Sequence, residues 1–252
     1  MIALISPAKS LDYTSPLPPL DAGAPRFADE AATLAHAAAR LSAKKLSALM
    51  HISDKLATLN AARFRDYDDA PARPAIHAFA GDVYVGFEVK TLDPPAIAFA
   101  QDHLRILSGL YGLLRPLDAI RPYRLEMGTK WAPGRKPDLY RWWGDRVSRL
   151  LADDLAESGS DVIVNLASKE YWQVVAQCPP PAARIVAIDF REEGPDGLRF
   201  NSFAAKRARG MMARWMCEHR VAKADDLRGF DSDGYRYVAD GSDEATWRFV
   251  RG

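Results

Sequence analysis

The segment Val162-Ile-Val-Asn-Leu-Ala-Ser168 is a short apolar run that ends at a helix-capping residue. A run of this length, rich in valine and isoleucine, is typical of a strand buried inside a sheet. Ser168 predicts the start of a helix, because serine is a favoured N-cap. A buried strand followed directly by a helix is the unit from which α/β folds are built.

The same alternation extends from this segment in both directions. We predict strands at residues 2–5, 75–80, 184–190, 198–203, 235–238 and 246–250, whereas the pattern at residues 105–108 fits either a short strand or the end of the preceding helix. Helices are predicted at residues 28–40, 42–50, 54–64, 94–104, 138–157 and 204–220. The turn at Gly194-Pro-Asp-Gly197 predicts that part of the sheet is antiparallel. We therefore expect a mixed α/β fold, with a central, partly antiparallel sheet and flanking helices, in one compact domain spanning residues 1–252.

Composition excludes several classes of protein. Hydrophobic residues make up 48% and charged residues 27% of 252, as in a globular protein. Cys178 and Cys217 are far apart and form no disulfide framework. The start of the chain lacks the features of a signal peptide, and no apolar run is long enough for a membrane helix. We expect a soluble cytoplasmic protein without a membrane partner.

Metal and nucleotide cofactors are also poorly supported. The five histidines are scattered, and His219 has only Cys217 nearby, so we predict no metal site. No Gly-x-Gly-x-x-Gly pattern or P-loop is present, and we predict no cofactor. No Gly-x-Ser-x-Gly elbow surrounds Ser108, although a triad assembled in space stays open.

The net charge of +1 hides a strong segregation of charge along the chain. Residues 103–150 contain ten Arg or Lys against four Asp or Glu, and residues 199–223 contain seven against one. Residues 225–244 restore the balance with seven acids and two arginines. Two basic segments on one scaffold can line a groove for a phosphate backbone, whereas the alternative is a set of solvated helix faces.

The segment from His103 to Gly128 carries the densest pattern. Gly109 and Gly112 bracket a tight turn in Leu-Ser-Gly-Leu-Tyr-Gly-Leu-Leu, with arginines at positions 105, 115, 121 and 124 around it. Free backbone N–H groups and guanidinium groups together can clamp a phosphate. The alternative is a glycine-lined connection packed against the core, and the spacing alone leaves both open.

The same segment closely resembles the YaaA family, the peroxide-stress resistance proteins. Further matching blocks are Ile5-Ser-Pro-Ala-Lys9, Ile52-Ser-Asp-Lys-Leu-Ala57, Asn60-Ala-Ala-Arg-Phe64, Ala78-Phe-Ala-Gly-Asp-Val-Tyr84, Leu139-Tyr-Arg-Trp-Trp-Gly-Asp145, Val164-Asn-Leu-Ala-Ser168 and Ser202-Phe-Ala-Ala-Lys-Arg-Ala-Arg-Gly210. The resemblance runs from the first residue to about Arg248.

The resemblance implies a protein that binds duplex or junction DNA through a positive cleft. It also implies a helix-hairpin-helix element, which we place at residues 107–120, and a role in peroxide stress that protects DNA and limits free intracellular iron. No enzyme activity follows from it. The predicted DNA contacts are Arg105, Ser108, Gly109, Tyr111, Gly112, Arg115, Arg121, Arg124, Lys130, Lys206, Arg207 and Arg209. No single helix face can present the last three together.

Two other functions remain as hypotheses. Polar residues that follow predicted strands can meet in one cleft, because ligands gather at the carboxyl ends of strands in α/β folds. These candidates for catalysis on nucleic acid or a nucleobase are Lys9, Asp82, Asn165, Ser168 and Lys169. An enzyme of this kind predicts that Lys9 or Asp82 is buried with a perturbed pKa. An iron-binding or partner-binding protein predicts a carboxylate cluster or a large exposed apolar patch.

Overall fold

A computed structural model describes residues 1–252 of the chain. The strands are β1 (Ile2–Ile5), β2 (Arg73–Pro74), β3 (Leu104–Ser108), β4 (Gly112–Leu114), β5 (Ala119–Ile120), β6 (Val162–Asn165), β7 (Arg184–Gly194), β8 (Gly197–Arg199), β9 (Arg236–Val238) and β10 (Thr246–Arg251). Eight of them form the main sheet in the order β4-β3-β1-β6-β7-β10-β9, with β8 paired to β7. Strands β2 and β5 form a separate small sheet.

Five adjacent strands of the main sheet, from β3 to β10, run parallel. The antiparallel strands β4, β8 and β9 each pair with one of them. The predicted mixed, partly antiparallel sheet is thus confirmed. Strands β1 and β3 are buried at every position, as expected for parallel strands covered by helices on both faces.

The helices flank this sheet. They are α1 (Ala28–Ala39), α2 (Ala43–Met50), α3 (Asp54–Arg65), α4 (Ala75–Ala78), α5 (Asp82–Phe87), α6 (Pro94–His103), α7 (Leu139–Trp143), α8 (Arg146–Glu157), α9 (Lys169–Ala176) and α10 (Ser202–Glu218). Side chains cap several of their first turns, where an oxygen accepts a backbone N–H. The residues are Ser42, Ser53, Asp93, Asp138, Ser168 and Asn201. One continuous cluster of buried side chains reaches from Met1 to Phe249, so the chain forms a single core.

Three predicted elements differ from the structure. Residues 75–78 form the short helix α4 rather than a strand, because the N–H of Phe79 donates back to the carbonyl of Ala75. The predicted helix at residues 138–157 is broken at Gly144, which has a φ of 56°. Only Gly197–Arg199 continues the hairpin strand, because the Asn201 side chain caps α10 directly afterwards.

The placement of a helix-hairpin-helix element at residues 107–120 is wrong. This stretch contains the hairpin of β3 and β4, in which Ile106 pairs with Leu114, and the short strand β5. The Ser108 hydroxyl accepts the N–H of Tyr111 and closes the turn. Gly112 has a φ of 65°, and a Cβ there would come within 2.8 Å of the Trp143 ring. The two glycines therefore serve a tight buried turn.

The order of strands creates a switch point at β1. The chain leaves β1 and forms β3 on one side, while β6 and then β7 lie on the other side. Loops from the two halves diverge at the carboxyl ends of β1 and β6 and leave a crevice between them, the usual place for a ligand in open α/β sheets. No helix has both the length and the apolar character needed to cross a membrane.

Candidate functional site

The loops that follow β1 and β6 are tied together at the carboxyl edge of the sheet. The backbone N–H of Ser168 donates to the Ser6 hydroxyl at 2.9 Å, and the N–H of Leu166 donates to the carbonyl of Leu4. The loop after β1 is therefore held against the first turn of α9. A fixed loop pair of this kind forms a rigid floor for a crevice.

Two adjoining cavities occupy this edge. The first has about 410 Å³ and is lined by Lys9, Asp82, Glu170 and Tyr171, among others; we call it the Lys9 cavity. The second has about 630 Å³ and is lined by Trp172, Ile188 and Phe200, among others; we call it the Trp172 cavity. Ser168, Lys206 and Arg209 line both, so the two cavities form one cleft.

Arg209 is the least compensated charge of the cleft. It lies on α10 with its side chain mostly buried, and its buried Nε has no hydrogen-bond partner. Burial lowers the pKa of the Arg209 guanidinium, and the nearby charge of Asp189 only partly opposes this. A buried cation without a hydrogen-bonded partner is costly, so the floor of the cleft is prepared for an anion.

Among the residues that line the Trp172 cavity, cations outnumber acids. Lys169, Arg191, Lys206 and Arg209 line it together with one carboxylate, Asp189. Both oxygens of Asp189 already accept hydrogen bonds, from Arg191 at 2.9 Å and from Arg248 at 3.1 Å. The carboxylate is thus neutralised by its own neighbours, and the remaining cations face the cavity.

The Lys9 cavity carries a more even charge. Lys9 pairs with Glu126 at 3.1 Å, and Arg124 pairs with the same carboxylate at 2.9 Å. The Lys206 ammonium lies 3.9 Å from the Asp82 carboxylate, which is long for an ion pair, and both side chains are about half exposed, so this pair is weak. Burial raises the pKa of Tyr171 well above its usual value, which leaves a neutral phenol in the wall.

Two exposed phenylalanines lie in the segment that leads from the β7–β8 hairpin into α10. Phe200 is 53% and Phe203 is 70% exposed. The Arg191 guanidinium lies 5.5 Å from the Phe200 ring centroid, and the Lys206 ammonium lies 5.6 Å from that of Phe203. Exposed aromatic faces that alternate with cations are suited to stacking with bases along a phosphate backbone.

The structure brings together the polar residues that were predicted to share a cleft. Lys9 and Asp82 line the Lys9 cavity, Asn165 and Lys169 line the Trp172 cavity, and Ser168 lines both. Four further lining or bordering residues were not predicted from the sequence: Trp172, Arg191, Phe200 and Phe203. A signal for the last two existed, since these phenylalanines lie between Arg199 and the basic pair Lys206-Arg207.

The burial of Lys9 or Asp82 that the enzyme hypothesis predicts is not found. The Lys9 side chain is 61% exposed and the Asp82 side chain 45% exposed. Solvent at both groups removes the desolvation that a lysine nucleophile needs for activation.

Among the basic residues of α10, Lys206 and Arg209 face the cleft, whereas Arg207 is exposed outside both cavities. The three side chains therefore do not share one face, as the helical spacing predicts. Arg124 borders the cleft through Glu126, and Lys130 is exposed a few residues further along that loop.

Arg105 and Arg115 lie at the opposite edge of the sheet. Because β4 runs antiparallel to β3, Arg115 comes next to Arg105 near the amino end of β3. Both donate to Asp154, at 2.6 and 3.3 Å, and the Asp154 side chain is 1% exposed. Arg26 completes the cluster. Arg105 and Arg115 are therefore held by a buried carboxylate and line neither cavity, so they are not available as phosphate contacts in the cleft.

The hairpin residues that were predicted to clamp a phosphate are interior. Ser108, Gly109, Tyr111 and Gly112 are all buried. Ser108 and the Tyr123 hydroxyl lie 2.6 Å apart, and Trp143 donates to the carbonyl of Gly109. Arg121 donates to the carbonyl of Asp68 and covers the Tyr67 ring. Of the two readings of this segment, the structure supports the packed connection.

Histidine, cysteine, aspartate and glutamate side chains form no group of three or more that could hold a metal ion. The carboxylate cluster expected of an iron-binding protein is therefore not found.

Comparisons with known proteins agree over the length of the chain. A family model described as "Peroxide stress protein YaaA" matches residues 1–241. A UPF0246 protein of Rhizorhabdus wittichii is 70% identical over 251 residues, which covers 100% of this chain and 99% of that protein. UPF0246 proteins of Laribacter hongkongensis and Caulobacter vibrioides are 47% and 46% identical, each over 100% of this chain and 99% of the relative.

Proposed function

Since the chain belongs to the peroxide stress protein YaaA family, we propose that it binds DNA, duplex or junction, during the response to hydrogen peroxide. Binding takes place in the cleft formed by the Lys9 and Trp172 cavities. The protein recognises the phosphate backbone and has little preference for sequence.

The guanidinium of Arg209, whose Nε has no hydrogen-bond partner, carries this proposal. Its buried Nε lacks a partner within the chain, while Lys206 and Ser168 line the same part of the cleft. A phosphate oxygen would satisfy the guanidinium with a charge-assisted hydrogen bond, which is stronger than a neutral one. Ser202, at the amino end of α10, lines the Trp172 cavity, and the helix dipole adds positive potential there.

The shape of the surface around the cleft favours a polymer over a lone small anion. Phe200 and Phe203 extend the cationic floor outward with exposed rings, and Arg191 and Lys206 lie over them. Such a surface contacts several nucleotides in succession, because every base offers a face for stacking. Phosphate contacts fix the register and carry no sequence information.

In this proposal, the protein protects DNA against peroxide because it covers the phosphate backbone. Iron(II) bound near DNA converts peroxide into radicals that attack the strand, and a protein that occupies phosphates displaces such cations. The proposal thus links the protein to iron through the DNA. The side chains provide no metal site of their own for it.

A salt titration tests the proposal. Binding of a 20-base-pair duplex and of a four-way junction is measured by fluorescence anisotropy between 50 and 300 mM salt. The variants are Lys206→Ala/Arg209→Gln and, as a control of equal charge, Lys44→Ala/Lys45→Ala. Lys44 and Lys45 are exposed on α2 and line neither cavity.

The affinity of the wild-type protein should fall steeply with salt. Loss of two phosphate contacts should reduce the slope by about 2 units in the cleft variant. Its affinity at low salt should fall about tenfold or more, while the control stays within about twofold of wild type. Equal effects of the two variants, or no binding by the wild-type protein at 50 mM salt, would overturn the proposal.

A further inference from the structure

The Trp172 cavity has two kinds of wall that differ in chemistry. Trp172, Ile188 and Phe200 supply apolar and aromatic surface, and Lys169, Lys206 and Arg209 supply positive charge. Its volume of about 630 Å³ lies within the range of small-molecule sites. A phosphate alone would leave the apolar wall without a partner, so the cavity is built for an anion that carries a flat apolar group.

Polar groups between these walls are free to hydrogen bond. The Oδ1 atom of Asn165 accepts the N–H of Ala167 at 2.9 Å, which fixes the amide so that its Nδ2 remains available. The Ser202 hydroxyl is exposed and makes no hydrogen bond within the chain. The edge of a nucleobase carries donors and acceptors that match such groups, whereas a lipid tail or a plain aromatic acid does not.

We propose that the Trp172 cavity holds one unstacked nucleotide. The base lies against Trp172 and Phe200, with its edge toward the Asn165 amide, and the phosphate lies between Lys206 and Arg209. This inference rests on the proposed function and adds that the protein receives a single nucleotide out of the stack. Strand sites with an unpaired or mispaired nucleotide are then its preferred targets, because the cost of unstacking there is small.

Calorimetric titration of the full-length protein tests the cavity itself. The ligands are a purine nucleoside monophosphate, a pyrimidine nucleoside monophosphate, the free nucleosides and inorganic phosphate. We expect a nucleoside monophosphate to bind at least tenfold more tightly than phosphate or the nucleoside, since only it reaches both walls.

Phe200→Ala and Leu198→Ala form a matched pair of variants. Both side chains are about half exposed and lie two residues apart, but only Phe200 lines the cavity. Phe200→Ala should weaken binding of the nucleoside monophosphate about fivefold or more, as expected for the loss of one stacking contact, while Leu198→Ala leaves it unchanged. Because both residues are exposed, either variant should fold.

A second titration tests whether the cavity receives a nucleotide that is part of a DNA strand. We expect a duplex with one mismatch or one unpaired nucleotide to bind about tenfold more tightly than the matched duplex, and Phe200→Ala to remove most of that difference. If mononucleotides bind no more tightly than phosphate and the mismatch gives no advantage, the nucleotide cavity is overturned. Salt-dependent binding that needs Lys206 and Arg209 would then still support the proposed function. If the matched duplex does not bind either, the proposed function fails as well.

Discussion

At the scale of single residues, Arg209 should favour DNA binding and lower the stability of the fold. Its Nε atom is buried without a hydrogen-bond partner, and only the nearby charge of Asp189 opposes the cost of taking the guanidinium out of water. We expect Arg209→Met, which keeps the length and apolar stem of the side chain, to raise the free energy of unfolding by about 1 kcal/mol. The same variant should lose most of its affinity for DNA. Urea unfolding and anisotropy titration on one preparation measure both effects; a destabilised variant with normal binding would show that Arg209 has a structural role instead.

The two cysteines differ in whether peroxide can reach their thiols. Burial raises the pKa of Cys217 to about 12, so this thiol stays protonated, whereas Cys178 is exposed. Since the thiolate is the reactive species, we expect iodoacetamide at pH 8 to alkylate Cys178 and to leave Cys217 intact until denaturant is added. Mass spectrometry of the labelled peptides measures this. Rapid labelling of Cys217 in the folded protein would contradict its buried position.

At the scale of elements, helices α5 and α10 cross with their backbones in contact. A Cβ on Gly210 would lie 1.8 Å from the carbonyl oxygen of Val83, and one on Gly86 would lie 2.1 Å from that of Arg207. We expect Gly210→Ala to cost about 2 kcal/mol or more of stability, because the helices must move apart. It should also weaken DNA binding, since α10 carries Lys206 and Arg209.

Gly229→Ala is the control for this crossing. An added Cβ there would meet only the Trp215 ring, at 3.7 Å, which is an ordinary contact. Thermal unfolding should show a clear fall in melting temperature for Gly210→Ala and little change for Gly229→Ala. Equal shifts would mean that the loss of glycine, rather than the close crossing, determines the effect.

Elements that depend on local chemistry were predictable from the sequence. Ser42, Ser53, Asp93 and Ser168 mark their helix starts because a side-chain oxygen at fixed spacing accepts an N–H of the first turn. The carboxyl-edge cleft followed from the same reasoning, since polar residues after parallel strands meet at one edge.

Elements that depend on distant partners were not predictable. The turn at Gly109 and Gly112 is a buried hairpin because the Trp143 indole, more than thirty residues away, packs over it. Spacing alone does not reveal such a partner. Likewise, the sequence shows seven cations in residues 199–223, but only the fold determines which of them find a carboxylate and which, like Arg209, do not.

At the scale of the whole molecule, the two edges of the sheet divide the arginines by role. At the amino edge, Arg26, Arg105 and Arg115 all pair with Asp154, and Arg115 also pairs with Glu157. At the carboxyl edge, Lys206 and Arg209 face an open cleft; Lys206 pairs only weakly with Asp82, and Arg209 has no ion pair. The same residue types therefore stabilise the fold at one edge and remain free for an anion at the other. Sequence charge alone predicts both edges as a single groove.

The buried ion cluster at the amino edge makes stability depend on pH in acid. Burial opposes the charge of Asp154, but hydrogen bonds from Arg105 and Arg26 hold its pKa below the usual value of an aspartate. A carboxyl with a lowered folded-state pKa stabilises the native state fully above the unfolded value, and this contribution is lost as the pH falls through the folded value. We expect Asp154→Asn to lose about 3 kcal/mol at pH 7, since it leaves the Arg105 guanidinium buried without a counter-charge.

The difference in unfolding free energy between wild type and Asp154→Asn should stay constant from pH 7 to about pH 5 and shrink below pH 4, because only the wild type has that carboxylate to protonate. Urea titrations at each pH measure this difference. DNA binding, measured at pH 7 on the same samples, tests whether the amino-edge cluster affects the cleft. Folded Asp154→Asn should keep the wild-type salt slope for DNA, because its charge change lies across the sheet from the cleft. A variant that loses binding while still folded would show that the amino-edge cluster and the cleft act on the same ligand.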